Sequence, residues 1–212
     1  EELQAELESL VRELSAPLIQ ATAQDLARLC GSKEHQGLMA KMPPYPYANS
    51  SDVLDGLSKD AFVLVLSGIQ DPFNFGSILR SADLFDVDAV IVPDRGQAAV
   101  SSHVVRSSVG AVNYLNIVET PDLMGISTRL RSADLVLLAA TENGERSPAV
   151  VNLRRGLALL IGNEGAGVAP ELLDLCDEQI RIPQGGHVGS LNAAVAAGIL
   201  CYEVRRQRSC WV

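Results

Sequence analysis

The chain has 212 residues, 47% hydrophobic and 20% charged, which is enough for one full domain and part of a second. No apolar run reaches the roughly 20 residues of a membrane span. A net charge of −9 argues against nucleic acid as a partner of the whole surface, because phosphate binding requires Lys and Arg. Arginines nevertheless gather at Arg154/Arg155 and at Arg205/Arg206/Arg208, so a local basic face can survive on an acidic protein.

In chain order, residues 1–14 place Leu3, Leu7, Leu10, Val11 and Leu14 at helical spacing. This acidic helical start is no signal peptide, and without an opening Met it is expected to be a trimmed one. A short strand is predicted over 16–22 (APLIQAT), a helix over 23–30 ended by Gly31, and a second strand over 35–42 (HQGLMAKM). The run is too short for a good core and reads as the tail of a small α/β domain, residues 1–47. The Pro-rich, aperiodic stretch PPYPYANSSD sets the expected linker at 48–59.

From residue 60 the pattern changes to apolar strands alternating with helices. Strands are predicted at 61–69, 88–93, 113–119, 134–141, 157–163 and 178–183, with helices at 75–86, 101–110, 122–132, 170–176 and 190–206. Near-continuous apolar strands are buried on both faces, so the expected fold is α/β, a parallel sheet with helices on each side over 60–212. Aromatics are only 4%, so the core must be built from Leu, Val, Ile and Ala.

Three segments carry polar residues and glycines just after strands: QDPFNFGSILR, IGNEGAGV and IPQGGHVGSLNAA. All should fall on the carboxyl edge of a parallel sheet, where ligands bind in such folds. Gly162, Gly165 and Gly167, and again Gly185, Gly186 and Gly189, allow close approach to main-chain groups. Neither a dinucleotide-binding G-x-G-x-x-G after the first strand nor a P-loop is present. Ser190, His187 and Glu164 lack the G-x-S-x-G elbow of a hydrolase. Cys30, Cys176, Cys201 and Cys210 show no C-x-x-C spacing and read as reduced cytosolic thiols; with His35, His103 and His187 far apart, no metal site is expected.

N-x-G-x-x-x-R at 74–80, GNEGAGV at 162–168 and IPQGGHVGSLNAAVAAGILCYEVRRQR at 182–208 resemble the three motifs of the SpoU/TrmH family, S-adenosylmethionine-dependent RNA ribose 2′-O-methyltransferases. The tail YEVRRQRS looks closest to the branch that methylates a guanosine in large-subunit ribosomal RNA. HQGLMAK resembles the end of an L30e-like RNA-binding domain whose first part is missing here. The resemblance implies a C-terminal deep trefoil knot, a homodimer and a cytoplasmic enzyme.

By the same resemblance, main-chain atoms around Gly162, Ile182 and Leu191 hold the cofactor, with Ile161, Asn163, Gly165 and Pro183 beside them and Thr141 lining the pocket. Asn74, Arg80, Glu164, Ser190 and Asn192 are the implied catalytic set. Some have plainer readings too: Asn74 as a helix N-cap, Arg80 in a surface salt bridge, Glu164 as a capping carboxylate, and Ser190 or Asn192 as the cap of the last helix. Asp86 stands where the family often has Gly, Gln184 where Met is common, and Ala193 and Ala194 replace a more usual pair. The alternatives are a transfer RNA substrate, or a non-catalytic RNA-binding or ribosome-assembly protein of the same fold.

Overall fold

The computed structural model describes residues 2–31, 33, 35–163, 165–187 and 189–209, and the chain divides into two compact units, Glu1–Pro44 and Tyr45–Val212.

The first unit carries α1 (Glu2–Glu13) and α2 (Ala23–Cys30). Thr22 caps α2, its hydroxyl accepting from the Asp25 N–H at 3.1 Å, and Gly31 ends it in the left-handed region (φ 65°). No strand forms over 16–22 or 35–42, contrary to expectation. Both are short apolar runs with no neighbouring strand in this unit to satisfy their backbone, and Pro17 removes a donor from the first. None of the described residues of this unit is buried.

The second unit is a six-stranded, wholly parallel sheet in the order β3-β2-β1-β5-β4-β6. Its strands are β1 (Phe62–Ser67), β2 (Ala89–Pro93), β3 (Ile117–Thr120), β4 (Val136–Ala140), β5 (Leu157–Gly162) and β6 (Glu178–Ile180). Its helices are α3 (Ser50–Gly56), α4 (Pro72–Leu84), α5 (Ser102–Ser107), α6 (Leu123–Ser132), α7 (Pro170–Leu175) and α8 (Ala193–Arg208). All six strands expected beyond residue 60 are present, shorter than the apolar runs that announce them. Residues 48–59, expected as a linker, carry α3 and belong to this unit. The Ala48 N–H donates to the Ile117 carbonyl at 2.8 Å, and Val53, Leu54 and Leu57 pack against the sheet.

Side chains alternate across each strand, so β1 feeds two cores. Phe62, Leu64 and Leu66 join Phe75, Ile78, Leu79, Ala197, Leu200 and Val204 on the face covered by α4 and α8. Val63 and Val65 join Ile126, Leu130 and Leu172 on the face covered by α6 and α7. β1 and β5 are in register from Phe62 opposite Leu157 to Ser67 opposite Gly162. The helix after β1 lies on one face and the helix after β5 on the other. The connections leaving these two adjacent strands therefore run to opposite faces, the topology in which ligands bind at the carboxyl edge of the sheet.

The last helix is fastened at its far end. Arg208 donates to the carbonyls of Leu153 (3.1 Å), Asp60 (2.8 Å) and Arg155 (2.7 Å), and its guanidinium lies 5.5 Å from the Phe62 ring centre. At the C-terminus of α4, Asp86 takes up a left-handed conformation (φ 53°), and the Val87 N–H closes the turn on the Ala82 carbonyl at 3.0 Å. The residue replacing the family's Gly thus occupies a conformation that Gly tolerates best and Asp tolerates better than most. Its carboxylate pairs with Arg205 of α8 at 2.7 Å.

Candidate active site

At the carboxyl ends of β4, β5 and β6 the sheet opens into a cleft of about 310 Å³, at the small end of the roughly 300–1,000 Å³ typical of ligand sites. It is walled by residues following three strands: Thr141 and Glu142 after β4, Asn163, Gly165, Ala166 and Gly167 after β5, and Arg181, Ile182, Gln184, Ser190 and Leu191 after β6. Of the residues expected to hold the cofactor, Thr141, Ile161, Gly162, Asn163, Gly165, Ile182 and Leu191 all line it; Pro183 is not among the lining residues.

Asn163 organises the middle wall. Its Oδ1 accepts from the Gly165 N–H (2.7 Å) and the Ala166 N–H (3.2 Å), and its main chain exchanges two hydrogen bonds with Gly167. Its Nδ2 donates to the Gly68 carbonyl at 2.9 Å, tying this loop to the one that follows β1. Gly162 stands at the end of β5, where any Cβ would overlap the main chain of Gly167 and Val168. The tight return of the loop therefore depends on the missing side chain.

The third wall is built in the opposite manner. The main-chain N–H and C=O groups of Ile182, Gln184, Ser190 and Leu191 bond to none of the described residues. Backbone polar groups must be satisfied by something, and here they are free to meet a ligand that displaces water. This suits S-adenosylmethionine, whose adenine and ribose offer donors and acceptors that main-chain groups can match. Glu142 and Arg181 add the only charged side chains among the described lining residues. Sequence reasoning missed both; the signal was their place, directly after β4 and β6.

Asn192 is the N-cap of α8: its Oδ1 accepts from the N–H groups of Ala194 (2.9 Å) and Val195 (3.2 Å). Its Nδ2 donates to Asn74 Oδ1 at 3.0 Å, joining residues 118 apart in the chain. The cap of α4 is Asp71, which accepts from the Phe73 and Asn74 N–H groups at 3.1 and 3.3 Å. That frees the Asn74 side chain from the capping duty the sequence allowed it. Ser190 is exposed on the cleft wall, two residues before the cap. Arg80 is exposed on α4, and its guanidinium forms no hydrogen bond or ion pair with a described residue. Glu164 lies outside the described residues.

Gly76 of the first motif does not face a ligand. A Cβ there would overlap Ser107 Oγ and come within 2.8 Å of the Val104 carbonyl oxygen, so Gly76 is what lets α4 and α5 touch. Nucleophilic alternatives fall away. Burial pushes the thiols of Cys176 and Cys201 up to about 12, so neither ionises near neutrality. His187 makes no hydrogen bond to Ser190.

The chain matches the SpoU rRNA methylase family over residues 61–202. It is 35% identical over 194 residues to a Staphylococcus epidermidis protein assigned to the TrmH family of tRNA/rRNA methyltransferases, covering 90% of this chain and 78% of that one. Among solved structures it resembles the SpoU methyltransferase AviRb of Streptomyces viridochromogenes in complex with AdoMet. That match has a TM-score of 0.70 and 33% identity, over 77% of this chain and 66% of that one. It also resembles an RNA 2′-O ribose methyltransferase, with a TM-score of 0.64 and 32% identity, over 79% of this chain and 60% of that one. A match that begins at β1 and runs through all three strand-end motifs into the last helix places the chain in the SpoU/TrmH family of S-adenosylmethionine-dependent methyltransferases.

Proposed function

We propose that the protein methylates the 2′-hydroxyl of a ribose in RNA, and that a guanosine of large-subunit ribosomal RNA is the substrate. The observation that carries this is the Asn192–Asn74 hydrogen bond, which brings the first and third motifs together beside the cleft. When bound, S-adenosylmethionine supplies an electrophilic methyl group on a sulfonium sulfur.

The protein's own work is alignment and charge. Alignment of the reacting atoms supplies up to about 7–11 kcal/mol of barrier reduction, which favours a cleft whose walls are fixed by main-chain bonds. Main-chain groups around Gly162, Ile182 and Leu191 hold the cofactor, with Ile161, Asn163, Gly165, Pro183 and Thr141 around them. Ser190 and Asn192 shape the ribose side, and Glu164 anchors the site electrostatically. Arg80 grips the phosphate beside the target ribose and stabilises the negative charge that grows on the 2′-oxygen. A guanidinium stays protonated under physiological conditions and is a poor general base, so charge stabilisation is the role that fits its chemistry. Its exposure and its lack of a described partner leave it available.

In the same reading, the chain is a cytoplasmic homodimer whose C-terminal segment forms a deep trefoil knot, and residues 1–47 are part of an L30e-like RNA-binding domain. Support for the dimer lies on α8. Val195, Ile199 and Tyr202 recur at i, i+4 and i+7 and are 50%, 39% and 54% exposed. Transfer RNA is the second reading, favoured by the S. epidermidis relative's assignment, which names both RNAs.

The test is methyl transfer from labelled cofactor to ribosomal and to transfer RNA, with the modified ribose mapped. Arg80→Ala is expected to lower turnover by about 10²–10³-fold, the scale of a lost transition-state donor, with cofactor affinity by calorimetry unchanged. Equal turnover would remove Arg80 from the mechanism. Label appearing on a base would overturn the ribose assignment.

A further inference from the structure

Of the chain's four phenylalanines, Phe62 and Phe75 are fully buried and Phe85 is half-buried, whereas Phe73 is 56% exposed. A single exposed apolar side chain is ordinary. This one lies next to Asn74 in the first turn of α4. Its ring rests against the imidazole of His103 on α5, ring centres 5.8 Å apart and planes inclined at 54°.

Three features set the helix segments that carry the pair. Asp71 Oδ1 accepts from the Phe73 N–H at 3.1 Å and sets the first turn of α4. Ser107 Oγ, whose nearest acceptor is the His103 carbonyl at 2.8 Å, also lies 3.2 Å from the Pro72 carbonyl and so packs α5 against that turn. Gly76 removes the side chain that would hold the two helices apart.

The surroundings are cationic on the open side. Phe73 and Arg80 are seven residues apart, so they share one face of α4 at a separation of about 10 Å along its axis. Arg106, one turn beyond His103 on α5, is exposed, and like that of Arg80 its side chain bonds to no described residue. The nearby carboxylate of Asp71 is engaged in capping. RNA presents this combination of needs: unstacked bases lie on aromatic faces while guanidinium groups hold the phosphates between them.

From this we infer that the Phe73–His103 pair is a stacking platform for an unpaired base beside the target ribose. The inference rests on RNA being the substrate. The platform holds the base, Arg80 the adjoining phosphate, and the ribose is left over the cleft.

A single-stranded RNA dodecamer carrying 2-aminopurine tests it, with the full chain and cofactor present, because stacking quenches that base. Phe73→Ala is expected to weaken RNA binding about tenfold and abolish the quenching, while cofactor affinity stays as in wild type. Phe73→Trp is expected to restore both, and Phe73→Leu, equally apolar but without a ring face, neither. Equal binding and quenching in wild type and Phe73→Ala would overturn the platform and leave the methyl-transfer reading standing. So would rescue by Leu, or a dimer that falls to monomer in light scattering with Phe73→Ala, which would make this face a subunit contact. A wild-type protein that binds no RNA would overturn both.

Discussion

Glycine performs opposite tasks in the inner two-thirds of the cleft and in its outer wall. At Gly162 a Cβ would collide with the loop that returns over it, and at Gly144 with the main chain of Ile180 and Arg181. At Gly185, Gly186 and Gly189 nothing lies within 4 Å of the place a Cβ would take. At Gly162 and Gly144 the inner region uses glycine because backbones press together, and at Gly167 because the chain turns there with φ 69°. The outer wall is glycine-rich with space around it, and the main-chain groups of Ile182, Gln184, Ser190 and Leu191 bond to none of the described residues. One half of the site is preformed; the other is a surface that a ligand can complete.

That contrast can be broken by substitution. The largest effect is expected at Gly162. Gly162→Ala forces the 163–167 loop away from β5, at about 1–3 kcal/mol, the usual cost of overpacking. Calorimetry should show cofactor affinity falling at least tenfold. Unchanged affinity would mean the loop shifts freely and the inner wall is as soft as the outer one.

Asn192→Ala comes next. It removes a helix cap worth about 1 kcal/mol and the bond to Asn74, worth about as much again. The melting temperature should fall by a few degrees, since a domain of this size loses about 2–4 °C per kcal/mol, and turnover should fall with it. Full rate at full stability would reject both duties. Gly186→Ala should be smallest, within about 0.5 kcal/mol of wild type by chemical denaturation, since the added methyl meets open space. A larger loss would show that the outer wall is more tightly held than its missing hydrogen bonds suggest.

Legibility from the sequence followed the same division. β1, β2, β4 and β5 were readable because burial on both faces writes an uninterrupted apolar run, as in FVLVLS and LALLIG. The runs over 16–22 and 35–42 misled because short apolar stretches do not say whether a partner strand exists. α3 was hidden in a polar, Pro-flanked stretch, yet Asn49 accepts from the Ser51 and Asp52 N–H groups and starts it there. The strand-end clusters could be assigned to one edge by topology alone, and seven of the eight residues expected around the cofactor do line the cleft. What pattern could not show was contact across long separations. The clash that makes Gly76 a helix-packing residue is with Ser107, and the Asn74–Asn192 bond spans most of the domain. Asp86 stood out only as a departure from an expected Gly, without sign of its pairing with Arg205.

The anchoring of α8 has a consequence for biosynthesis. The helix is gripped at one end by Asn192 beside the cleft and at the other by Arg208 on the carbonyls of Asp60, Leu153 and Arg155. Translation delivers β1 to β6 before either grip can close. A nascent chain still on the ribosome can thus own a finished sheet while the candidate cleft, walled in part by Ser190, Leu191, Ala193 and Ala196, is still incomplete.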